Sequence, residues 1–371
     1  MNNLNYVTYQ TFPADTANSI QTMANIKYLI KEEMNVSLYF PLRDKTSSAD
    51  LAKLKKFYSI KEDFTVIGSK HNLPFGKINI FNRVLFLYSH LVWSYSITNK
   101  LTNEIPSSES FLTRSDWVFF FLSRKNRKVT FECHQYTRIR KFLISKSLKK
   151  ETSKIIFLNK NLKEDYEKKY KLKNNYTILH NGVDLEYYPL AKKEKNYEIV
   201  FIGKLKRFGQ SRNIEFLLEG LTFLDKRYTL KIVGADESEM VELNEQSKNL
   251  GLESRVTILG RVGYSDVAKQ LSSSSIGILI NSSINKHSTS YTSPLKYFEY
   301  LAARLKIIAV DFPSHRDLPF SDKIAFFQDG DIESLVAAIN DVDYLDNLDL
   351  DIFSYISLET RAKKIIEFLS C

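Results

Sequence analysis

Short apolar, β-rich runs separated by longer stretches of helical period continue from one end of this chain to the other. In the front half Asn5–Gln10, NVSLYF (35–40), SFLTR (110–114), WVFFFL (117–122), VTFEC (129–133), KIIFL (154–158) and YTILH (176–180) read as strands. Helical patterns at Ala17–Glu33 and Asn161–Tyr170 fall between them. The back half alternates more cleanly: YEIVFIG (197–203), YTLKIVG (228–234), RVTILG (255–260), SIGILI (275–280), KIIAV (306–310) and KIAFF (323–327) read as strands. Helices are expected near 212–224, 237–250, 265–273, 293–304 and 332–340. Near-continuous apolar strands alternating with helices predict parallel sheets covered on both faces.

At 371 residues the chain is long enough for two such domains of roughly 150 residues or more. The expected class is therefore α/β, two doubly wound Rossmann-like domains facing a cleft, with ligands at the carboxyl ends of the strands. The turn-rich segment HNGVDLEYYP (180–189) reads as the linker. The expected domains are 1–185, joined by a C-terminal helix at about 355–371 that crosses back, and 186–354.

Several classes drop out on composition. With 43% hydrophobic and 26% charged residues, the chain lies in the globular range. Cys133 and Cys371 cannot form a disulfide framework, so the expected compartment is the cytosol. The opening MNNLNYVTYQTFPADTA lacks the basic and apolar regions of a secretory leader. The most apolar stretch, Phe81–Ile97, is interrupted by Arg83, Ser89, His90, Ser94 and Ser96 and is too polar to span a bilayer.

Charge is divided unevenly. Residues 1–185 hold 30 basic and 16 acidic side chains, a net of +14, whereas 186–371 carry a net of −4. A basic front half implies an anionic partner. No zinc-ligand spacing, aromatic RNA-binding strand or basic zipper accompanies the charge, which turns the expectation from nucleic acid toward an anionic membrane surface. The segment from Phe75 to Lys100, with an aromatic-aliphatic body and Lys77, Arg83 and Lys100 beside it, fits either an interfacial helix or a core helix.

Two elements look suited to an anion. In Tyr291-Thr-Ser-Pro-Leu-Lys-Tyr-Phe-Glu299, Ser293 is a good N-cap, Pro294 suits the first helical position, and Leu295 starts the buried side. A helix start presents unpaired N–H groups and the positive end of a dipole. Lys296 in that first turn opposes the dipole unless an anion lies nearby, and Glu299 could accept hydrogen bonds from a vicinal diol. The second element is Gly203-Lys204 after the YEIVFI strand. Gly203 permits a close turn, and Lys204 and Arg212 could meet a diphosphate. Neither a Walker motif nor GxGxxG occurs.

The ordered set HNGVD (180–184), IVFIGKL (199–205), LKIVG (230–234), VTILGRV (256–262), SIGIL (275–279), SPLKYFEYLAA (293–303) and IIAVDFPSHRDL (307–318) resembles the carboxyl-terminal half of family 4 glycosyltransferases. These are retaining enzymes of the GT-B fold that use nucleotide-sugar donors. TFPADTANSIQTMA (11–24) and FECHQY (131–136) resemble the first half in outline. The resemblance implies that Ser293–Lys296 hold the donor diphosphate with Gly203, Lys204 and Arg212, that Glu299 binds the ribose, and that Arg261 and Val262 lie beside the base. Tyr291 stands where the family's paired-glutamate motif has its first glutamate. Glu132 and His134 resemble the Glu-x-His that sets an imidazole against the sugar. Thr16 and Ala17, in a loop without the relatives' glycines, and Arg114 fall on the acceptor side.

The implied donor is UDP- or GDP-linked and the implied acceptor is lipid-linked or glycan, in surface polysaccharide or glycolipid synthesis at the cytoplasmic membrane face. No cofactor and no metal are expected, because cations would meet the leaving phosphate. An inverting transferase or a nucleotide-sugar epimerase of the same fold stays open, as does a non-catalytic membrane-associated scaffold.

Overall fold

A computed structural model describes residues 2–43, 46–73, 80–188, 196–207, 210–342 and 351–370. Phe75 and Lys77 of the apolar-basic segment, Pro189 of the expected linker and most of the acidic stretch 341–351 lie outside them. The chain forms two compact units, residues 1–179 with 358–371, and residues 180–357. His180–Leu185, which the sequence reading placed in the first domain, therefore belongs to the second, and residues 355–357 do as well.

The first unit runs β1 (Asn3–Val7), α1 (Ala17–Lys31), β2 (Asn35–Leu42), α2 (Leu51–Tyr58), β3 (Thr65–Lys70), α3 (Ile80–Glu104), β4 (Ser110–Thr113), α4 (Asp116–Arg124), β5 (Lys128–Cys133), α5 (Arg138–Ser147), β6 (Ser153–Phe157), α6 (Lys160–Glu167) and β7 (Tyr176–Ile178). Its seven strands are all parallel and lie in the order β3-β2-β1-β4-β5-β6-β7. β3 and α2 were not read from the sequence.

The run WVFFFL is α4, not a strand. Six consecutive apolar residues satisfy either period, so the flanks decide. Ser115 caps the helix, its Oγ accepting from Val118 N–H at 3.3 Å, and Asp116 complements the dipole in the first turn. Val118, Phe119 and Leu122 then face the core, while Trp117, Phe120 and Phe121 are only partly covered. At α1 the same device operates: Thr16 Oγ1 accepts from Ser19 N–H at 3.2 Å.

The second unit runs β8 (Glu198–Ile202), a two-residue hairpin pair β9 (Lys206–Arg207) and β10 (Gln210–Ser211), α7 (Ile214–Thr222), β11 (Thr229–Ala235), α8 (Glu237–Asn249), β12 (Val256–Gly260), α9 (Tyr264–Ser272), β13 (Ile276–Leu279), α10 (Leu295–Ala302), β14 (Lys306–Val310), α11 (Pro313–Arg316), β15 (Ile324–Phe327), α12 (Ile332–Asp341) and α13 (Asp351–Ile356). Six parallel strands lie in the order β12-β11-β8-β13-β14-β15. The final helix, α14 (Leu358–Ser370), packs on α1 and so completes the first unit. Leu358, Ala362 and Ile365 share its core with Met23, Ile26 and Leu29 of α1.

Each sheet starts near its middle and grows first one way and then the other. The reversal point lies between β1 and β4 in one unit and between β8 and β13 in the other. Strands diverge there, and the loops that leave their carboxyl ends open a place for a ligand. In the second unit β8 and β13 pair only at Ile199–Ile276 and Val200–Gly277. Beyond that the hydroxyl of Tyr300, from α10, accepts from Ile202 N–H and donates to Ile278 O, each at 3.2 Å. Gly277 is required beneath it: a Cβ there would lie 2.5 Å from the Tyr300 ring.

Candidate functional site

In the second unit the site grows from Gly203, the residue after β8. Its N–H donates to Val233 O at 2.8 Å, which draws the β8 and β11 loops together. Gly203 has φ +123 and Gly234 φ +114, conformations that favour glycine, and a Cβ on Gly234 would sit 2.7 Å from Gly203 O. A Cβ on Gly203 would meet the end of Lys296 at 3.8 Å and Arg212 Nη1 at 3.9 Å. Two cations from different elements thus converge on the space in front of this backbone. Lys296 Nζ also lies 3.9 Å from the centroid of the Phe201 ring, which holds the side chain over the end of β8.

The helix start differs from the sequence reading. Pro294, not Ser293, is the N-cap of α10, and the helix begins at Leu295. Ser293 is committed elsewhere: its Oγ accepts from Asn181 N–H at 3.0 Å, and its carbonyl accepts from Asn181 Nδ2. Asn181 belongs to HNGVD, so that turn anchors the approach to α10 and is part of the site's support. With Ser293 occupied, the first turn of α10 has no side-chain cap. A helix start of this kind offers unpaired amides and the positive end of the dipole.

Glu299 lies one turn beyond Lys296 and is buried. Burial pushes its carboxyl up to about 7, with Lys296 pulling the other way. Tyr291 is buried too and closes a single π-turn, His287–Tyr291, with Lys286 Nζ 5.2 Å from its ring centroid. Lys204 is exposed and adjoins Gly203, on which Arg212 and Lys296 converge. Arg261, after β12, is exposed and its charge acts on Asp236 at the capped start of α8. Val262 is half-buried against the core of the unit.

In the first unit the corresponding edge carries a denser network. His134 follows β5. Arg114, after β4, donates from Nη2 to His134 Nδ1 at 2.8 Å, which leaves the proton on Nε2, 3.1 Å from Glu132 Oε1. Burial holds the imidazole down at about 4, and Arg114 adds to the effect. Arg114 also reaches Gln21 Oε1 at 3.1 Å, Thr22 Oγ1 at 3.2 Å and Asn18 O at 3.3 Å. It thereby binds the first turns of α1, where Thr16 and Ala17 are exposed, to the end of β5. Glu132 is fully buried and takes Arg361 Nη2 of α14 at 2.7 Å. The Arg361 guanidinium keeps that carboxyl well below the usual range against the opposing effect of burial. Glu132 is therefore an internal counter-ion rather than a group facing a ligand.

Sequence reasoning missed Arg361, one of three basic residues in an amphipathic helix and 229 positions from its partner. It also missed a cluster beyond β1, β2 and β3. Tyr9 hydrogen-bonds Ser89 at 2.8 Å and stacks on His90 at 4.3 Å, with the Arg43 guanidinium 4.3 Å from its ring centroid and His71 3.3 Å from its hydroxyl. Only the positions after strand ends would have pointed to Arg43 and His71.

Two all-parallel, Rossmann-like sheets of this order are the architecture of the GT-B class. Residues 196–342 match the family described as Glycosyl transferases group 1. The whole chain is similar to sucrose-phosphate synthase from Thermosynechococcus elongatus, at 15% identity over 99% of this chain and 98% of that one, with a TM-score of 0.71. It is also similar to the lipopolysaccharide outer core galactosyltransferase WaaB, at 16% identity over 100% of both chains and a TM-score of 0.67. Anabaena HepE in complex with UDP gives 13% identity, 100% of both chains and a TM-score of 0.68. At these identities the likeness establishes the fold. No curated protein matches the chain in sequence.

Proposed function

We propose that this protein is a retaining, metal-independent glycosyltransferase that moves a sugar from a UDP- or GDP-linked donor to a lipid-linked or glycan acceptor. The observation that carries the reading is the convergence of Lys296 and Arg212 on the space before Gly203, beside the uncapped start of α10. Two cations and a helix start suit the two charges of a diphosphate. That HepE was solved with UDP and with UDP-glucose supports the donor class.

The acceptor oxygen forms its bond to the anomeric carbon on the face from which the diphosphate leaves. The sugar–phosphate C–O bond breaks, and the acceptor proton passes to the released phosphate oxygen. Lys296, Arg212 and the α10 amides stabilise the charge that develops on the diphosphate. Glu299, when ionised, accepts from the ribose hydroxyls. In the first unit His134 orients the sugar, and the segment around Thr16, Ala17 and Arg114 meets the acceptor.

The setting is a membrane surface, reached through the basic first unit. No described helix is long and apolar enough to cross a bilayer. α4 packs against both α3 and α5, and exposed apolar side chains line the outer two: Val84, Tyr88 and Tyr95 on α3, Ile139 and Phe142 on α5. Exposed Arg124, Arg138 and Lys146 stand among them, and Lys146 Nζ lies 5.5 Å from the Phe142 ring centroid. Apolar side chains set among cations suit anionic lipid headgroups.

The deciding experiment offers UDP- and GDP-sugars to the full-length protein and reads protection against melting. The anomeric configuration of any product is read by NMR, with and without EDTA. Failure of every donor to bind sinks the transferase reading, an inverted product sinks retention, and EDTA sensitivity restored by Mg²⁺ sinks metal independence. Equal co-sedimentation with neutral and anionic vesicles would remove the membrane.

A further inference from the structure

We propose that Arg361, on the terminal helix α14, is a positioning residue: through Glu132 it holds the His134 imidazole in one tautomer and one orientation at the carboxyl edge of the first unit's sheet. The inference rests on the reading of His134 as the group that orients the sugar, and it adds the element that fixes it.

The geometry is a chain of four groups. Arg361 Nη2 donates to Glu132 Oε1 at 2.7 Å, and the same oxygen lies 3.1 Å from His134 Nε2. On the ring's other side Arg114 Nη2 donates to Nδ1 at 2.8 Å. Because a guanidinium only donates, Nδ1 must accept and Nε2 must carry the hydrogen. One carboxylate oxygen thus accepts from a cation and lies in close contact with the imidazole. Arg361 is itself fixed by Asn25 Oδ1 at 3.1 Å, and its residue exposure is 4%. The charged groups acting on the ring are Arg114 after β4, Glu132 on β5 and Arg361 on α14. Glu132 favours a proton on His134, and the two guanidiniums oppose it.

An ordinary buried ion pair would anchor α14 and do nothing else. Here the pair's carboxylate also lies against the imidazole, so its loss reaches His134 even where the helix stays docked. Replacing Arg361 removes the hydrogen bond described for Glu132 and leaves its charge against the ring, which favours the imidazolium and frees the ring to turn.

The test uses the full-length chain in two arms. In the first, ¹⁵N-histidine NMR without ligand reads the tautomer and titration of His134 in wild type, Arg361→Gln, Arg361→Lys and Glu132→Gln. Wild type is expected to show a protonated Nε2 and an accepting Nδ1 throughout pH 6–8. In Arg361→Gln the ring is expected to titrate at higher pH, and Arg361→Lys to return most of the way to wild type. In the second arm kcat is expected to fall by about 10²-fold in Arg361→Gln, as for a misplaced reacting group. Donor KM should stay within about two-fold, and the acid limb of kcat should move to higher pH. Glu132→Gln keeps the volume and breaks the same link if Arg361→Gln does not fold.

Unchanged histidine resonances in either variant overturn the proposal. So does a loss of kcat that merely follows the loss of thermal midpoint, with an unmoved pH profile. A shifted spectrum with unchanged kcat also overturns it, and locates the error in the role of His134. Failure of wild type to bind any nucleotide would instead remove the donor reading, which the first arm does not touch.

Discussion

In the second unit Lys296 and Arg212 point into one space bounded by glycine backbone, next to a helix start without a cap. In the first unit Arg114 and Arg361 have their guanidiniums on named protein acceptors: Gln21, Thr22, Asn18 and His134 for one, Glu132 and Asn25 for the other. The two regions place their cations differently. A network that satisfies its own donors fixes geometry. Two like charges brought to a common space beside backbone amides are suited to an incoming anion.

The difference can be broken most directly at the cradle. Lys296→Ala and Arg212→Ala should each weaken UDP or GDP binding by about 10²-fold, since a charge-assisted contact contributes about 2–3 kcal/mol. Both should keep the wild-type thermal midpoint, as read by calorimetry. A matching fall in midpoint would make the cradle structural. Gly203→Ala goes further, placing a methyl group in the shared space and straining a φ of +123. It should abolish nucleotide binding and cost about 1–3 kcal/mol of stability.

Acid and base should act oppositely on the two regions. The raised carboxyl of Glu299 binds its proton more tightly folded than unfolded. Its stabilisation is therefore present below the ordinary carboxylate value of 4.5 and is lost as pH rises toward about 7. Glu299→Gln should accordingly gain in midpoint over wild type between pH 5 and 7.5, while nucleotide affinity of the wild type rises over the same range. His134, held down at about 4, contributes fully above its ordinary 6.5, and that contribution is lost as pH falls toward 4. Glu132, held below the carboxylate range, also loses its contribution in acid. A Glu132→Gln variant should therefore be less acid-sensitive than wild type, and an unchanged acid limb of unfolding would contradict this account.

The smallest effect belongs to Lys204. Being exposed, it should contribute less than about three-fold to nucleotide affinity when changed to Ala, because surface charges are screened. A loss equal to that of Arg212→Ala would restore the pairing expected from sequence.

How much of this could be read beforehand varied with the kind of signal. The six strands of the second unit were legible because buried parallel strands are runs of Val, Ile and Leu, as in KIIAV. WVFFFL misled for the same reason: composition alone does not separate a buried strand from a helix, and Ser115 with Asp116 decided it. Ser293 looked like a cap because caps are recognised by residue type. Its hydroxyl was taken by Asn181, 112 positions earlier in the chain. Glu132 looked like a group for a ligand until Arg361 reached it from the far end of the sequence.

Local order therefore fixed the alternation of strands and helices, the two-unit architecture and the candidate positions at strand ends, because periodicity and turn chemistry act within a few residues. Which cations share a space, which carboxylate is spent internally and which histidine nitrogen carries the proton were decided by tertiary structure. Those facts depend on distances between side chains that the chain brings together from tens or hundreds of residues apart, and on the burial that sets the cost of leaving any of them unpaired.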